Sequence, residues 1–228
     1  MLFPEEVSSF FSDCQSPAYL KATSASSLSL EQLQSSALVA LKFSKQIPVT
    51  DILAEYQGIR SLLVSNHNTY PHSVSYKWKA VALHGLGNQQ VDNFVRYGAW
   101  ADESEVPYAW TNCSTLCPLT RKFIESLPYE RLERVRFMVL GPKGFTRPHR
   151  DGKSKPNEGR LCWLNIALDN PAGSFFKFKD FGYVPFENGV AFSLNTRHEH
   201  AVVNFSDQDR VHLIVHGRPS ENFLDWFM

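Results

Sequence analysis

Two periodicities divide the chain. Between residues 29 and 65 apolar positions recur at helical spacing. "SLEQLQSSALVALKFSKQ" sets Leu30, Leu33, Ala37, Leu38 and Leu41 near one face, with Ser29 as a cap. "VTDILAEYQGIRSLLVSN" repeats the pattern with Ile52, Leu53, Tyr56, Ile59, Leu62 and Leu63. From about Lys77 the character changes. "KWKAVALHG" reads as a strand ending in glycine, and "SEVPYAWTNCSTLCPLTRKFIESLP" as a loop followed by a short helix. Beyond Arg131 short strands are predicted at Arg134–Leu140, Arg160–Leu168, Ser174–Lys179, Gly189–Leu194, His200–Asn204 and Arg210–His216. Gly141-Pro142-Lys143-Gly144 reads as a turn after the first of them. Strands this short at such regular intervals predict a sandwich or barrel, and residues 131–217 supply most of a jelly roll. The organisation expected is a helical N-terminal segment, residues 1–74, packed on a mainly β core, residues 75–228, as one compact unit.

Composition narrows the partners. Hydrophobic residues make up 43% of the 228 positions and aromatics 13%, enough for a packed core. Lys+Arg and Asp+Glu are both 23, and a dedicated nucleic-acid binder would need a basic excess. No stretch of 18 apolar residues occurs, so no membrane span is expected. The start, "MLFPEEVSSFFSDCQ", has neither the basic nor the apolar region of a signal peptide. Cys14, Cys113, Cys117 and Cys162 are scattered, and Cys113-x3-Cys117 has no second pair to complete a zinc site. Reduced thiols in a cytoplasmic protein are the expectation.

The candidate chemistry starts at "RPHRDGKSKPN", Arg147 to Asn157, which three mechanisms could claim. His149-Arg150-Asp151 spells a kinase catalytic loop, and Asp180-Phe181-Gly182 spells its magnesium-binding partner. Yet the asparagine required five residues after the aspartate is Pro156, and the residues after Gly182 read as β where a kinase needs a large helical lobe. Gly152-Lys153-Ser154 resembles the end of a phosphate-binding loop, but the glycine required five residues earlier is Arg147. Metal ligation survives. Extended backbone turns His149 and Asp151 to the same side, and two histidines with one carboxylate on one face leave three iron positions open. "NTRHEHAVVNFSDQDRVHLIVHG" offers His198 or His200 as the third ligand, and His200 opens a β run. On the strand that starts at Arg210, Val211, Leu213 and Val215 form an apolar face. Arg210, His212, Ile214 and His216 form a polar one suited to the cavity of a barrel. A buried arginine there needs an anion, and a guanidinium grips a carboxylate through two parallel hydrogen bonds.

His149-x-Asp151, His200 and Arg210 ten residues further on together resemble the signature of the iron(II)/2-oxoglutarate-dependent oxygenases. "HEHAVVNFSDQDRVHLIVHG", "FMVLGPKGFTRPHRD" and "GRLCWLNIALDNP" are similar to the aspartyl/asparaginyl β-hydroxylase branch, including its free-proline hydroxylase relatives. The likeness spans about residues 75–217. It implies a double-stranded β-helix with His149, Asp151 and His200 as Fe(II) ligands, and Arg210 on the distal carboxylate of 2-oxoglutarate. Asn165 and His212 would lie against that cosubstrate, His212 standing where many relatives have serine. Arg160, Trp163 and Met138 are candidate substrate contacts. Asp151 argues against a halogenase, in which halide replaces the carboxylate ligand. The implied reaction uses O2 and 2-oxoglutarate to hydroxylate a C–H, releasing succinate and CO2, with a free amino acid or small metabolite as first choice of substrate and a protein side chain as second. Two further readings stay open: a cupin-like binding module without turnover, and a zinc hydrolase. Trp78 and His84 could line an entrance or pack in the core, and Arg150, Lys153 and Lys155 form a basic stretch beside the metal that could meet an acidic substrate. The aromatic tail "GRPSENFLDWFM" could cover the pocket or form a subunit contact.

Overall fold

One strand sorts the molecule into two sides. In Arg210–Pro219, Val211, Leu213 and Val215 are buried in one apolar cluster, while Arg210, His212 and His216 are buried on the opposite face. Both faces of the strand are therefore covered, and the alternation that separates them is the two-residue period of extended backbone. The structure, a computed structural model, describes residues 3–29, 40–65, 75–87, 107–151 and 162–228.

Within these residues the strands are β1 Ala40–Lys42, β2 Val64–Ser65, β3 Ser75–Leu86, β4 Tyr108–Trp110, β5 Tyr129–Thr146, β6 Cys162–Asp169, β7 Ser174–Phe178, β8 Gly182–Tyr183, β9 Ala191–Leu194, β10 His200–Asn204 and β11 Arg210–Pro219. The helices are α1 Glu5–Phe10, α2 Val49–Ile59 and α3 Pro118–Glu125. The strand order is β1-β9-β6-β11-β5-β10-β7-β8, with β3 on the outer side of β5 carrying β2 and β4. All the named pairs are antiparallel. The sheet curls into the expected jelly roll because β5 serves two partners: Arg131–Leu140 pairs with β11, and Phe145 pairs with Val203 of β10.

The corner between those partners is Gly141-Pro142-Lys143-Gly144, where a strand-ending turn is predicted. It is instead a bulge inside one 18-residue strand. β3 pairs with β5 on both sides of it, Tyr76 with Phe145 and Trp78 with Leu140, so four residues stand opposite Lys77 alone. Lys143 absorbs the bend at φ 57°. The buried Asn204 amide closes the corner by donating to the carbonyls of Leu140 (3.0 Å), Gly141 (3.2 Å) and Gln208 (2.7 Å). Backbone carbonyls freed by the bend are thus paired rather than stranded.

A second expectation is corrected at Leu41. The helical pattern that ends there gives way to β1, which pairs Ala40–Lys42 with Leu194–Phe192. Ala40 and Leu41 are both buried, each in a different cluster, which a strand achieves with neighbouring residues and a one-sided helix does not. Leu30, Leu33, Ala37 and Leu38 lie outside the described residues, as do Gly152–Arg160. α2 forms as predicted and buries Ile52, Tyr56 and Ile59 on the outer cluster with Phe137, Ile124 of α3 and the tail residues Phe223 and Phe227. The tail is thus part of the core of its own chain. The inner cluster holds Leu140, Phe176, Phe178, Phe192, Leu194 and Val202. Cys14, Cys113 and Cys117 are free thiols, and burial raises Cys113 to about 11 and Cys117 to about 12. No helix among the described residues is long and apolar enough to cross a membrane.

The Asp180-Phe181-Gly182 triplet is a turn leading into β8. Gly182 has φ 92°, and a Cβ there would lie 2.2 Å from the carbonyl oxygen of Ala18, the same oxygen that accepts the Tyr183 N–H at 2.9 Å. Gly182→Ala combines a disfavoured backbone with a backbone clash. It should lower stability by on the order of 1–3 kcal/mol in urea denaturation; an unchanged midpoint would show that the 18–20 segment does not hold this turn.

Candidate metal centre

The two ends of the site are tied together by backbone. His149 and His200 form an antiparallel bridge: the His149 N–H donates to His200 O at 3.0 Å, and the His200 N–H donates to His149 O at 2.9 Å. The Asp151 N–H donates to Thr196 O at 2.9 Å. The end of the segment after β5 is thereby held against the start of β10. One ligand-type atom from each of His149, Asp151 and His200 lies within 4.8 Å of the other two. His149 Nε2 is 3.7 Å from Asp151 Oδ1, and His200 Nε2 is 3.9 Å from Asp151 Oδ2.

Both rings are fixed in the orientation a ligand needs. His149 Nδ1 lies 2.7 Å from Arg147 O, and His200 Nδ1 lies 2.9 Å from His198 O. Nδ1–H donation to those carbonyls leaves each Nε2 lone pair facing the aspartate. Phe176 stacks parallel on His200 at 5.2 Å. Burial, then the neighbouring His149, pushes His200 down to about 4 against the opposing pull of Asp151, so the ring is neutral at neutral pH. The donor set of two imidazoles and a carboxylate suits iron(II) with open positions. His198 is not part of the group; it packs against Phe181 (4.8 Å) and Phe178 (6.4 Å).

A second polar site lies on the inner face at the start of β11. Arg210 is 2% exposed, its Nε donates to Asn170 Oδ1 at 3.1 Å, and its guanidinium lies over the Phe186 ring at 5.7 Å. Burial lowers it to about 9, which leaves it charged at neutral pH. Among the described residues no carboxylate lies within ion-pair distance of it. Beside it, His212 Nδ1 donates to Asn165 Oδ1 at 2.6 Å and lies 3.3 Å from Arg210 Nη2. Burial and the Arg210 charge hold His212 neutral, well below the usual imidazole range. Phe186 touches both halves of the site, meeting His212 at 4.8 Å and Phe176 at 6.3 Å, so the apolar wall runs from the triad to the guanidinium.

The other predicted residues divide. Met138 is buried opposite His212. Trp163 is half-buried and stacks on His216 at 3.9 Å. Arg160, Lys153 and Lys155 lie outside the described residues. Exposed Arg150 turns to Arg197 O (3.3 Å) and Glu199 (4.0 Å). Trp78 packs on the inner cluster. His84 is a core residue: buried, bonded through Nδ1 to Glu133 O at 2.9 Å, and edge-on to Trp110. Sequence reading missed Phe176 and Phe186, which sit in no quoted motif, and Asn170, which lies near the end of "GRLCWLNIALDNP" without being singled out.

Fold and constellation together define a jelly-roll protein with a two-histidine, one-carboxylate metal-type site beside a buried guanidinium. The chain matches the Aspartyl/Asparaginyl beta-hydroxylase family over residues 48–219 and belongs to it. No curated protein matches the chain. Among solved structures it is similar to the non-heme alpha ketoglutarate dependent carbocyclase SnoK from nogalamycin biosynthesis, at 14% identity and TM-score 0.49 over 88% of this chain and 90% of that one. It is also similar to a Pseudomonas putida prolyl-4-hydroxylase, at 12% identity and TM-score 0.46 over 79% and 93%. A third likeness is to the viral collagen prolyl hydroxylase of Paramecium Bursaria Chlorella virus-1, at 12% identity and TM-score 0.45 over 78% and 96%.

Two measurements follow from the geometry. Calorimetric titration with Fe(II) under nitrogen should show His200→Ala binding at least about 100-fold more weakly than wild type, with His198→Ala close to it; the opposite ranking would move the site. Four buried rings, His84, His200, His212 and His216, sit below the unfolded imidazole value of 6.5. Below pH 6.5 the unfolded chain therefore takes up more protons than the folded one, and stability falls as pH falls. The metal-free protein should lose stability steadily as pH falls from 6.5 towards 4.5 in urea titrations. A flat profile would mean that these rings are solvated.

Proposed function

We propose that this protein is an Fe(II)- and 2-oxoglutarate-dependent dioxygenase that hydroxylates an unactivated C–H of an amino acid or similar small metabolite. His149, Asp151 and His200 hold the metal, and Arg210 takes the distal carboxylate of 2-oxoglutarate, with Asn165 and His212 against the cosubstrate. The observation that carries the reading is the pairing of a converged ligand triad with a buried guanidinium that has no carboxylate partner among the described residues. A buried charge of this kind calls for an anion, and a dicarboxylic keto acid supplies one at Arg210 and a chelating end for the metal.

When bound, Fe(II) and 2-oxoglutarate supply the oxidising power that turns C–H and O2 into C–OH, with succinate and CO2 released. The chain's own residues do the rest. The carbonyls of Arg147 and His198 keep both imidazoles in the ligating tautomer. Asn170 fixes the guanidinium plane through Nε and leaves its outer N–H groups for the two carboxylate oxygens. His212, neutral, accommodates the adjacent cation without repelling it. Phe176 and Phe186 keep the space between triad and guanidinium apolar, which strengthens the ionic contact. Membership of the Aspartyl/Asparaginyl beta-hydroxylase family favours, as a second reading, an aspartyl or asparaginyl side chain of a protein as substrate.

The test is succinate formation from 2-oxoglutarate in the presence of Fe(II) and O2. Asp151→Ala should abolish it. Arg210→Ala should chiefly raise the 2-oxoglutarate KM, by on the order of 100-fold. Full activity in Asp151→Ala would overturn the triad assignment. Absence of succinate across a broad substrate panel would favour a binding module, and turnover under nitrogen without 2-oxoglutarate would favour a hydrolase.

A further inference from the structure

Beyond the triad and the Arg210 pocket, a few buried polar atoms among the described residues lack a hydrogen-bond partner, and in His216 both ring nitrogens do. His216 is 2% exposed, and neither ring nitrogen has a hydrogen-bond partner. Burying both nitrogens of an imidazole without partners is costly, so the ring is suited to a polar ligand that the protein does not itself supply. Its place on β11 is on the inner face, opposite Trp163 of β6 and Arg134 of β5. Trp163 stacks on it with planes inclined by 21°. One row further in, Ile214 lies between Asn165 and Arg136. The face is continuous with the site already described, since Asn165 is the residue that His212 bonds at 2.6 Å beside Arg210.

Guanidiniums share this face with His216. The inner positions from Arg134 to Leu140 of β5, from Trp163 to Ala167 of β6 and from Arg210 to His216 of β11 carry three guanidiniums and no carboxylate. Burial, then the charges of Arg136 and Arg134, keep His216 neutral, so it offers one N–H and one lone pair in a positive field. Six residues of strand separate Arg210 from His216, a span of roughly 20 Å. The two ends of the face are therefore far enough apart to meet different molecules.

We propose that Trp163 and His216, in the field of Arg134 and Arg136, form the seat for a carboxylate of the substrate, with the His216 N–H donating to it and the Trp163 ring flooring it. The inference rests on the oxygenase reading and deepens it, because it names the group by which the substrate is held. Two sources share that chemistry: the α-carboxylate of a free amino acid, and the side-chain carboxylate of an aspartyl residue in a peptide.

The test uses the full chain with three probe sets: the free L-amino acids, their carboxamides, and end-blocked peptides matched for aspartate and asparagine. Binding is measured by calorimetry on the metal-free protein, and turnover by succinate release. At least one free amino acid, or the aspartyl peptide, should bind, and its carboxamide or asparaginyl counterpart should bind at least about ten-fold more weakly. Which of the two binds identifies the source. His216→Phe keeps the stacked ring and removes the donor; it should raise the substrate Kd and KM about ten-fold or more while the 2-oxoglutarate KM stays within about two-fold. Equal binding of acid and amide, binding of none of the probes, or an unchanged substrate KM in His216→Phe would each overturn the proposal. Binding through His216 with no succinate from wild type would sink the oxygenase reading and leave this one standing.

Discussion

The pair of reciprocal backbone hydrogen bonds between His149 and His200 is the constraint on which the site depends. These residues are 51 positions apart in sequence, and nothing local holds them together. The bridge fixes the two backbones at pairing distance, after which the rings have little freedom left: each is pinned through Nδ1 to a carbonyl two residues upstream in its own chain segment. Because the same backbone turn that presents each ring also supplies its hydrogen-bond acceptor, positioning and choice of tautomer are one event. Asp151 enters through a third backbone bond, to Thr196 on the segment that leads into His200.

The bridge is possible because β5 changes partners. Its first part lies along β11, and its last residues lie beside β10. The bulge at 141–144 makes that change, and Asn204, buried and bonded to three carbonyls, holds it. The corner therefore works in two directions. It curls the sheet into a jelly roll, and it delivers the segment carrying His149 and Asp151 to the strand that His200 opens. The apolar face of β11 anchors this frame to α2 and α3 through Val211, Leu213 and Val215, which frees the opposite face for polar side chains that would be costly in an ordinary core.

Much of this was legible in the order of residues, for reasons that differ from one feature to the next. The alternation along β11 could be read directly, since a strand puts every second side chain on one side whatever surrounds it. The His149-x-Asp151 spacing carried the same information. The corner at 141–144 was legible only as glycine and proline, which mark a change of direction but not whether hydrogen bonding resumes beyond it. The helical pattern ending at Leu41 misled because spacing of apolar residues does not say how many sides of a segment will be buried. Phe176 and Phe186, which join the two halves of the site, belong to no motif, and their role is a product of packing alone.

By itself, then, the sequence determined which side chains could do chemistry and which of them share a strand face, because those properties depend on covalent structure and on a local two-residue period. Tertiary structure alone decided that His149, Asp151 and His200 come within 4.8 Å of one another, that Arg210 is buried without an acidic neighbour among the described residues, and that His216 is enclosed with both nitrogens unpaired. Those facts are distances and burial between strands far apart in the chain, and no local period encodes them.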